Sequence, residues 1–207
     1  MMSTNNDVDE GLKVLGIAGS MREGSYGKKA LNIALASAKR HGAQVRLLEL
    51  AKAELPIYSP SASGSSSSPA VAKVAADVEW ADAFILASPD FHGSVSGALK
   101  NFLDYFYEEF AGKLFGYVVA SHEKGLTVMD QMRTAVRQCY GWSMPYGVSV
   151  NGEQDFAAGG GQITNARIEQ RLNMMGRDLV TYGRLLRLQF RQDVAGSESE
   201  TFAARYR

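Results

Sequence analysis

Short apolar runs and amphipathic stretches of helical period take turns along this chain. Residues 13–18 (KVLGIA) are almost continuously apolar and end at Gly19-Ser20, the pattern of a strand buried on both faces. From Tyr26 to Lys39, residues Ala30, Leu31, Ala34, Leu35 and Ala38 recur at helical spacing, and His41-Gly42 closes the helix. Residues 44–50 (QVRLLEL) alternate, as a strand nearer the sheet edge does. The pattern then predicts a helix over 70–80, a buried strand over 83–87 (AFILA), a helix over 97–110 and a strand over 114–120 (LFGYVVA). A helix over 127–140, a short strand over 144–150 and a long helix over 163–186 complete it. The last helix carries Ile168, Leu172, Met175, Leu179 and Tyr182 on one side, the stripe of a core or subunit contact.

Five strands alternating with five helices call for a parallel sheet covered on both faces. Right-handed crossovers with one reversal of direction make it doubly wound. In the flavodoxin-like form the strand order is 2-1-3-4-5, and a ligand lies beyond the carboxyl ends of strands 1 and 3. The loops after Ala18, Ala87 and Ala120 are therefore the ones to read for chemistry. The length of 207 residues suits one domain, placed at 12–190 between a flexible N-terminal tail (1–11) and a C-terminal tail (191–207). Residues 56–69, containing SPSASGSSSSP, are too poor in apolar groups to pack and read as a flexible surface loop; glycine-rich 151–161 is a second loop.

Composition narrows the partners. Lys+Arg and Asp+Glu both number 22, so no global charge draws the chain to nucleic acid or to acidic membranes. The basic residues Arg184, Arg187, Arg191, Arg205 and Arg207 read as a solvated face. No apolar run has the length of a membrane span or of a signal-peptide core, and the single cysteine, Cys139, excludes an internal disulfide framework. The expected setting is the cytoplasm. His41, His92 and His122 lack a second ligand at metal-site spacing, so no metal is expected.

After strand 1 the chain reads Gly19-Ser20-Met21-Arg22-Glu23-Gly24-Ser25-Tyr26-Gly27. Two hydroxyls, a guanidinium and the unpaired N–H groups of a helix start suit a phosphate. With no ligand, the same loop is a helix start capped by Ser25. The dinucleotide pattern G-x-G-x-x-G is absent, and Gly24 is not followed by the Lys-Ser/Thr of a nucleoside-triphosphate loop. After strand 3 comes Ser88-Pro89-Asp90-Phe91-His92-Gly93-Ser94-Val95-Ser96-Gly97. Phe91 and His92 are planar enough to flank a ring, Gly93 and Gly97 permit close backbone approach, and free N–H groups could meet ring-edge heteroatoms.

Taken together, the two loops resemble the NADPH-dependent FMN reductase family, flavodoxin-like reductases of flavins, quinones, azo compounds and chromate. The family pattern G-S-x-R-x-x-S is matched by Gly19, Ser20, Arg22 and Ser25. The pattern P-E-Y-(N/H)-(G/S)-S-x-x-G-x-L-K-N-x-x-D is matched by Pro89, His92, Gly93, Ser94, Gly97, Leu99, Lys100, Asn101 and Asp104. By that resemblance Ser20, Arg22 and Ser25 hold the phosphate of FMN, and Tyr26 is a further cofactor-binding residue. Pro89, Asp90, Phe91, His92 and Gly93 line its isoalloxazine, with Ser121 and His122 at the ring edge. Lys100, Asn101 and Asp104, on the next helix, serve structure or subunit contact. Asp90 and Phe91 replace the family's Glu and Tyr, and Ser121–Thr127 replaces a glycine-rich loop.

The resemblance implies an NAD(P)H-dependent FMN oxidoreductase that passes hydride from NADPH or NADH to FMN. Electrons then go to a flavin, a quinone or another small acceptor. The flavin does the chemistry, so no catalytic dyad or triad is expected. Family members commonly pair or form tetramers, and the run Tyr105, Phe106, Tyr107 and Phe110 is more aromatic than one core face needs. A homodimer or homotetramer is expected. The alternatives are a flavodoxin-type electron carrier and a flavin-binding redox sensor, both without NAD(P)H turnover.

Overall fold

The computed structural model describes residues 11–60, 68–159 and 161–206. The expected N-terminal tail therefore lies outside the described residues except for Gly11, as does the serine-rich run 61–67. Six strands form one parallel sheet: β1 (Lys13–Ala18), β2 (Gln44–Glu49), β3 (Ala83–Pro89), β4 (Leu114–Ala120), β5 (Trp142–Ser143) and β6 (Val148–Val150). The order is β2-β1-β3-β4-β5, with β6 also pairing β4. The helices are α1 (Tyr26–Arg40), α2 (Leu50–Ala53), α3 (Pro69–Trp80), α4 (Gly97–Tyr105), α5 (Leu126–Gln138) and α6 (Ala166–Ala195). This is the flavodoxin-like doubly wound arrangement.

Alternation along the strands divides the core in two. Val14 and Ala18 of β1, Ala83, Ile85 and Ala87 of β3, and Leu114 and Val118 of β4 pack under α1 and α6. Leu15 and Ile17, Phe84 and Leu86, and Phe115, Tyr117 and Val119 pack under α3, α4 and α5. Each central strand is thus buried on both sides, which is why its sequence reads as an unbroken apolar run. Helix α6 crosses α1 closely at Gly176, where a Cβ would fall 2.2 Å from the Ala34 carbonyl oxygen.

The structure revises several expected elements. The fifth sheet position is two short strands rather than one over 144–150, because Pro145 lacks the N–H a continuous ladder needs. Helix α4 stops at Tyr105, and Glu108–Phe110 make a separate 3-10 turn. Helix α6 runs nine residues past the expected end at Leu186, to Ala195. Its buried stripe follows Leu179, Val180 and Gly183 and leaves Tyr182 exposed. The stretch read as a C-terminal tail also folds back. Phe202 stacks on Tyr140, Phe190 meets Phe202 and Tyr206, and Arg205 donates to the Tyr140 hydroxyl. Arg187 and Arg191 pair with Asp82, and Arg184 donates to the Gly42 carbonyl. Arg184, Arg187, Arg191 and Arg205 are therefore anchors within the fold, and Arg207 lies outside the described residues.

Three of the four aromatics at the end of α4 are taken up inside the chain. Phe106 and Phe110 join Phe84, Phe102 and Phe115 in a buried cluster. Tyr105 donates to the Pro56 carbonyl and meets the Tyr58 ring. Tyr107 alone of the four stays exposed, at 53%. Among the described residues no helix is long and apolar enough to cross a membrane, and no group of three His, Cys, Asp or Glu side chains could hold a metal ion.

Candidate functional site

The loops after β1, β3 and β4 meet at the carboxyl ends of the strands and are tied by named bonds. Gly19 N–H donates to the Ala87 carbonyl, and the buried Ser96 hydroxyl donates to the Gly19 carbonyl at 2.6 Å. Ser96 also caps α4 by accepting from Leu99 N–H, while its own N–H donates to the Ser88 hydroxyl. Asp90 joins the third loop to the fourth: its N–H donates to the Ala120 carbonyl, and one carboxylate oxygen accepts from the Ser121 hydroxyl at 2.9 Å. Ser121 N–H in turn donates to the Val150 carbonyl, and the Asn151 side chain to the His122 carbonyl.

The first loop has the donors a phosphate needs. Ser25 caps α1, its hydroxyl oxygen accepting from Lys28 N–H at 3.2 Å. Its hydroxyl proton remains for a ligand. Ser20 accepts from Arg22 N–H in the same way. The N–H groups of Glu23, Gly24, Tyr26 and Gly27 have no partner among the described residues, and the exposed Arg22 guanidinium makes no ion pair there. Gly24 adopts φ +69°, with nothing within 4 Å of where a Cβ would stand, so the loop is open above it. Unpaired N–H groups at a helix start, a fork of positive charge and two hydroxyls form a set that suits a phosphate monoester. The Tyr26 ring is not part of that set. It packs on Phe156 at 5.0 Å and over Gly152, so Tyr26 offers its backbone rather than its side chain. Nearby, Lys28 and Lys52 bind Glu49 and hold its carboxyl below the usual range.

The third loop is a tight hairpin. Phe91 and Ser94 exchange both backbone bonds, and His92 and Gly93 at its tip have φ of +58° and +74°. Two positive φ values in sequence mark a type I′ turn, which Gly tolerates and a His adopts only under constraint. The constraint comes from both sides. Asp90 accepts from Gly93 N–H at 2.8 Å. Gln131 of α5 accepts from the Ser94 hydroxyl and Val95 N–H and donates to the Gly93 carbonyl. Most of the N–H groups expected to be free in this loop are therefore committed to its own architecture. The His92 N–H and carbonyl remain without a partner among the described residues. Phe91, 55% exposed, presents its ring beside them.

Of the expected residues, Ser20, Arg22, Ser25 and the Tyr26 backbone gather at the first loop, and Pro89, Asp90, Phe91, His92 and Gly93 at the third. Asp90 and Ser121 brace each other, and His122 is exposed on the fourth loop. Asn101 fastens residues 56–58 to α4, and Lys100 pairs with Asp104 on the exposed side of α4. Ser88, Ser96, Gln131 and Asn151 were not anticipated. The helix-capping pattern around Ser96 is a local signal that could have found it; Gln131, mid-helix and distant in sequence, offers none.

The profile of the family described as NADPH-dependent FMN reductase matches residues 12–155. An NAD(P)H-dependent FMN reductase of Pseudomonas aeruginosa is 33% identical over 98 residues, covering 47% of this chain and 51% of that protein. An NAD(P)H:quinone oxidoreductase of Solanum tuberosum is 32% identical over 45% of this chain and 49% of its own length. The chain thus spans about half the length of these curated relatives. An FMN-dependent NADPH-azoreductase of Staphylococcus saprophyticus is 30% identical over 70% of this chain and 79% of its own length. Among solved structures, the NAD(P)H:(acceptor) oxidoreductase FerB of Paracoccus denitrificans superposes with a TM-score of 0.70 at 19% identity, covering 84% of this chain and 98% of that one. A WrbA-like flavodoxin of Agrobacterium tumefaciens superposes with a TM-score of 0.60 at 16% identity, covering 84% and 98%. With the profile spanning well over half of its length, the chain belongs to the NADPH-dependent FMN reductase family.

Proposed function

We propose that this chain is an FMN-dependent oxidoreductase that takes reducing equivalents from NADPH or NADH and delivers them to a small molecule. The observation that carries the reading is the first loop: four backbone N–H groups and the Arg22 guanidinium, all without a partner among the described residues, and the Ser20 and Ser25 hydroxyls at one helix start. Bound FMN would supply a ring that accepts hydride and releases electrons singly or in pairs. Around it, Arg22, Ser20 and Ser25 would grip the phosphate, and the Pro89–Gly93 hairpin would support the ring. Asp90 has both oxygens engaged, by Gly93 N–H and the Ser121 hydroxyl, so it holds the loops rather than moving a proton. No acid–base pair is needed where the reacting rings are simply held in contact.

The names of the relatives support a flavin, quinone or azo acceptor. Steady-state oxidation of NADPH and NADH, with FMN and each acceptor in turn, tests the reading. Turnover that requires FMN supports it. FMN binding without NAD(P)H oxidation would instead assign the chain to the carriers or sensors. A homo-oligomer is part of the proposal. One surface open to a second copy is the groove between α4 and α5, lined by Val95, Leu103, Gln131, Thr134 and Ala135. Light-scattering mass at assay concentration checks it. The lone half-buried Cys139 fits a reducing cytoplasm.

A further inference from the structure

We infer that Gln131, on α5 and outside the loops that would touch FMN, is a positioning residue that preforms the ring-binding hairpin and tunes the flavin's reduction potential. The inference rests on the reading above. Its basis is the hydrogen-bond pattern of residues 90–96. One amide side chain serves three groups of the hairpin: its oxygen accepts from the Ser94 hydroxyl at 2.9 Å and from Val95 N–H at 3.2 Å, and its nitrogen donates to the Gly93 carbonyl at 3.3 Å. Asp90 accepts from Gly93 N–H on the other side. The Gly93 residue is thus held at both its N–H and its carbonyl, which fixes the left-handed conformations of His92 and Gly93. Outside the hairpin no residue but Gln131 reaches its Gly93 carbonyl among the described residues.

Two consequences follow physically. First, a loop held in its binding conformation before the ligand arrives loses less conformational freedom on binding, so affinity rises. Second, the clamp determines which polar groups are left over: it occupies the Gly93 carbonyl and Val95 N–H, while the His92 N–H and carbonyl at the tip stay without a partner among the described residues. A donor placed at the ring edge favours the reduced, more negative flavin, and an unmasked carbonyl disfavours it. Gln131 therefore acts on the ring through the backbone of residues 92 and 93.

Two variants separate the parts of this clamp. Gln131→Ala removes all three bonds. Gln131→Glu keeps the two acceptor bonds but cannot donate to the Gly93 carbonyl, and it adds negative charge there. Flavin-stripped protein is titrated with FMN by fluorescence quenching, and the midpoint potential of each reloaded protein is measured against a reference dye. Gln131→Ala is expected to raise the FMN Kd about tenfold, the equivalent of 1.4 kcal/mol. Gln131→Glu is expected to raise it less while lowering the two-electron potential by about 30 mV, a tenfold difference between reduced and oxidised flavin. A purely structural role would lower Tm and leave the potential of the folded protein unchanged. If wild type binds FMN and both variants keep its Kd within twofold and its potential, the inference is overturned. Should Gln131→Ala not fold, Gln131→Glu decides by the same criteria. If wild type itself takes up no FMN, the failure is that of the proposed function and the inference falls with it.

Discussion

Ser25 shows how one side chain can serve both fold and ligand. Its oxygen accepts from Lys28 N–H and so starts α1, while its proton is left to donate outward. Ser25→Ala is expected to cost about 1 kcal/mol of stability through the lost cap and to weaken FMN binding several-fold. Arg22 has no side-chain partner among the described residues, so Arg22→Ala should leave Tm unchanged and weaken FMN binding by about tenfold to a hundredfold through one lost charge-assisted contact. Fluorescence titration and thermal melts of both variants measure the contrast. Gly93 is constrained differently: at φ +74° an alanine is strained by about 1–2 kcal/mol, although Thr127 Oγ1 at 3.6 Å would leave its methyl room. Gly93→Ala should therefore weaken FMN binding without a steric clash. The residues with local signals, Ser20, Arg22, Ser25 and Gly93, were legible in the sequence because turn and cap chemistry depends on near neighbours. Gln131 was not, since its three partners lie 36 to 38 positions away.

At the scale of elements, strands buried on both faces announced themselves by composition: β1 and β4 have the expected bounds, and α1 ends one residue late. What the pattern missed were interruptions. Pro145 splits the fifth sheet position, and α4 ends where Phe106 turns inward to the aromatic cluster, since periodicity cannot distinguish a continuing helix from a bend that buries the same rings. Lys113, just before β4, is a further element-level feature. Burial lowers its pKa to about 8, against the pull of Asp82, Glu109 and Glu79, while its ammonium donates to the Val78 carbonyl at the end of α3. Between pH 8 and 10 the unfolded chain keeps this proton and the folded one does not, so unfolding takes up a proton and stability rises with pH; below pH 8 the cost of the buried charge is present in full. Lys113→Met is expected to be more stable than wild type at pH 7 by about 1–3 kcal/mol and to lose that pH-dependent rise. Urea unfolding at pH 7, 8.5 and 10 measures both.

For the whole molecule, the doubly wound sheet brings three sequence-distant loops to one end, and Ser96 and Asp90 lock them together. Ser96→Ala, which leaves the Gly19 carbonyl and Leu99 N–H without their partner, is expected to cost about 1–3 kcal/mol in unfolding free energy and to weaken FMN binding from a distance. Together these loops are proposed to hold FMN where NAD(P)H can reduce it. The direct measurement is an absorbance spectrum of the FMN-loaded protein under nitrogen as NADPH is added. Yellow flavin bands that bleach in proportion to NADPH and return with an acceptor are the expected result. A protein that stays colourless after incubation with FMN, or whose bands persist with excess NADPH and NADH, would contradict it.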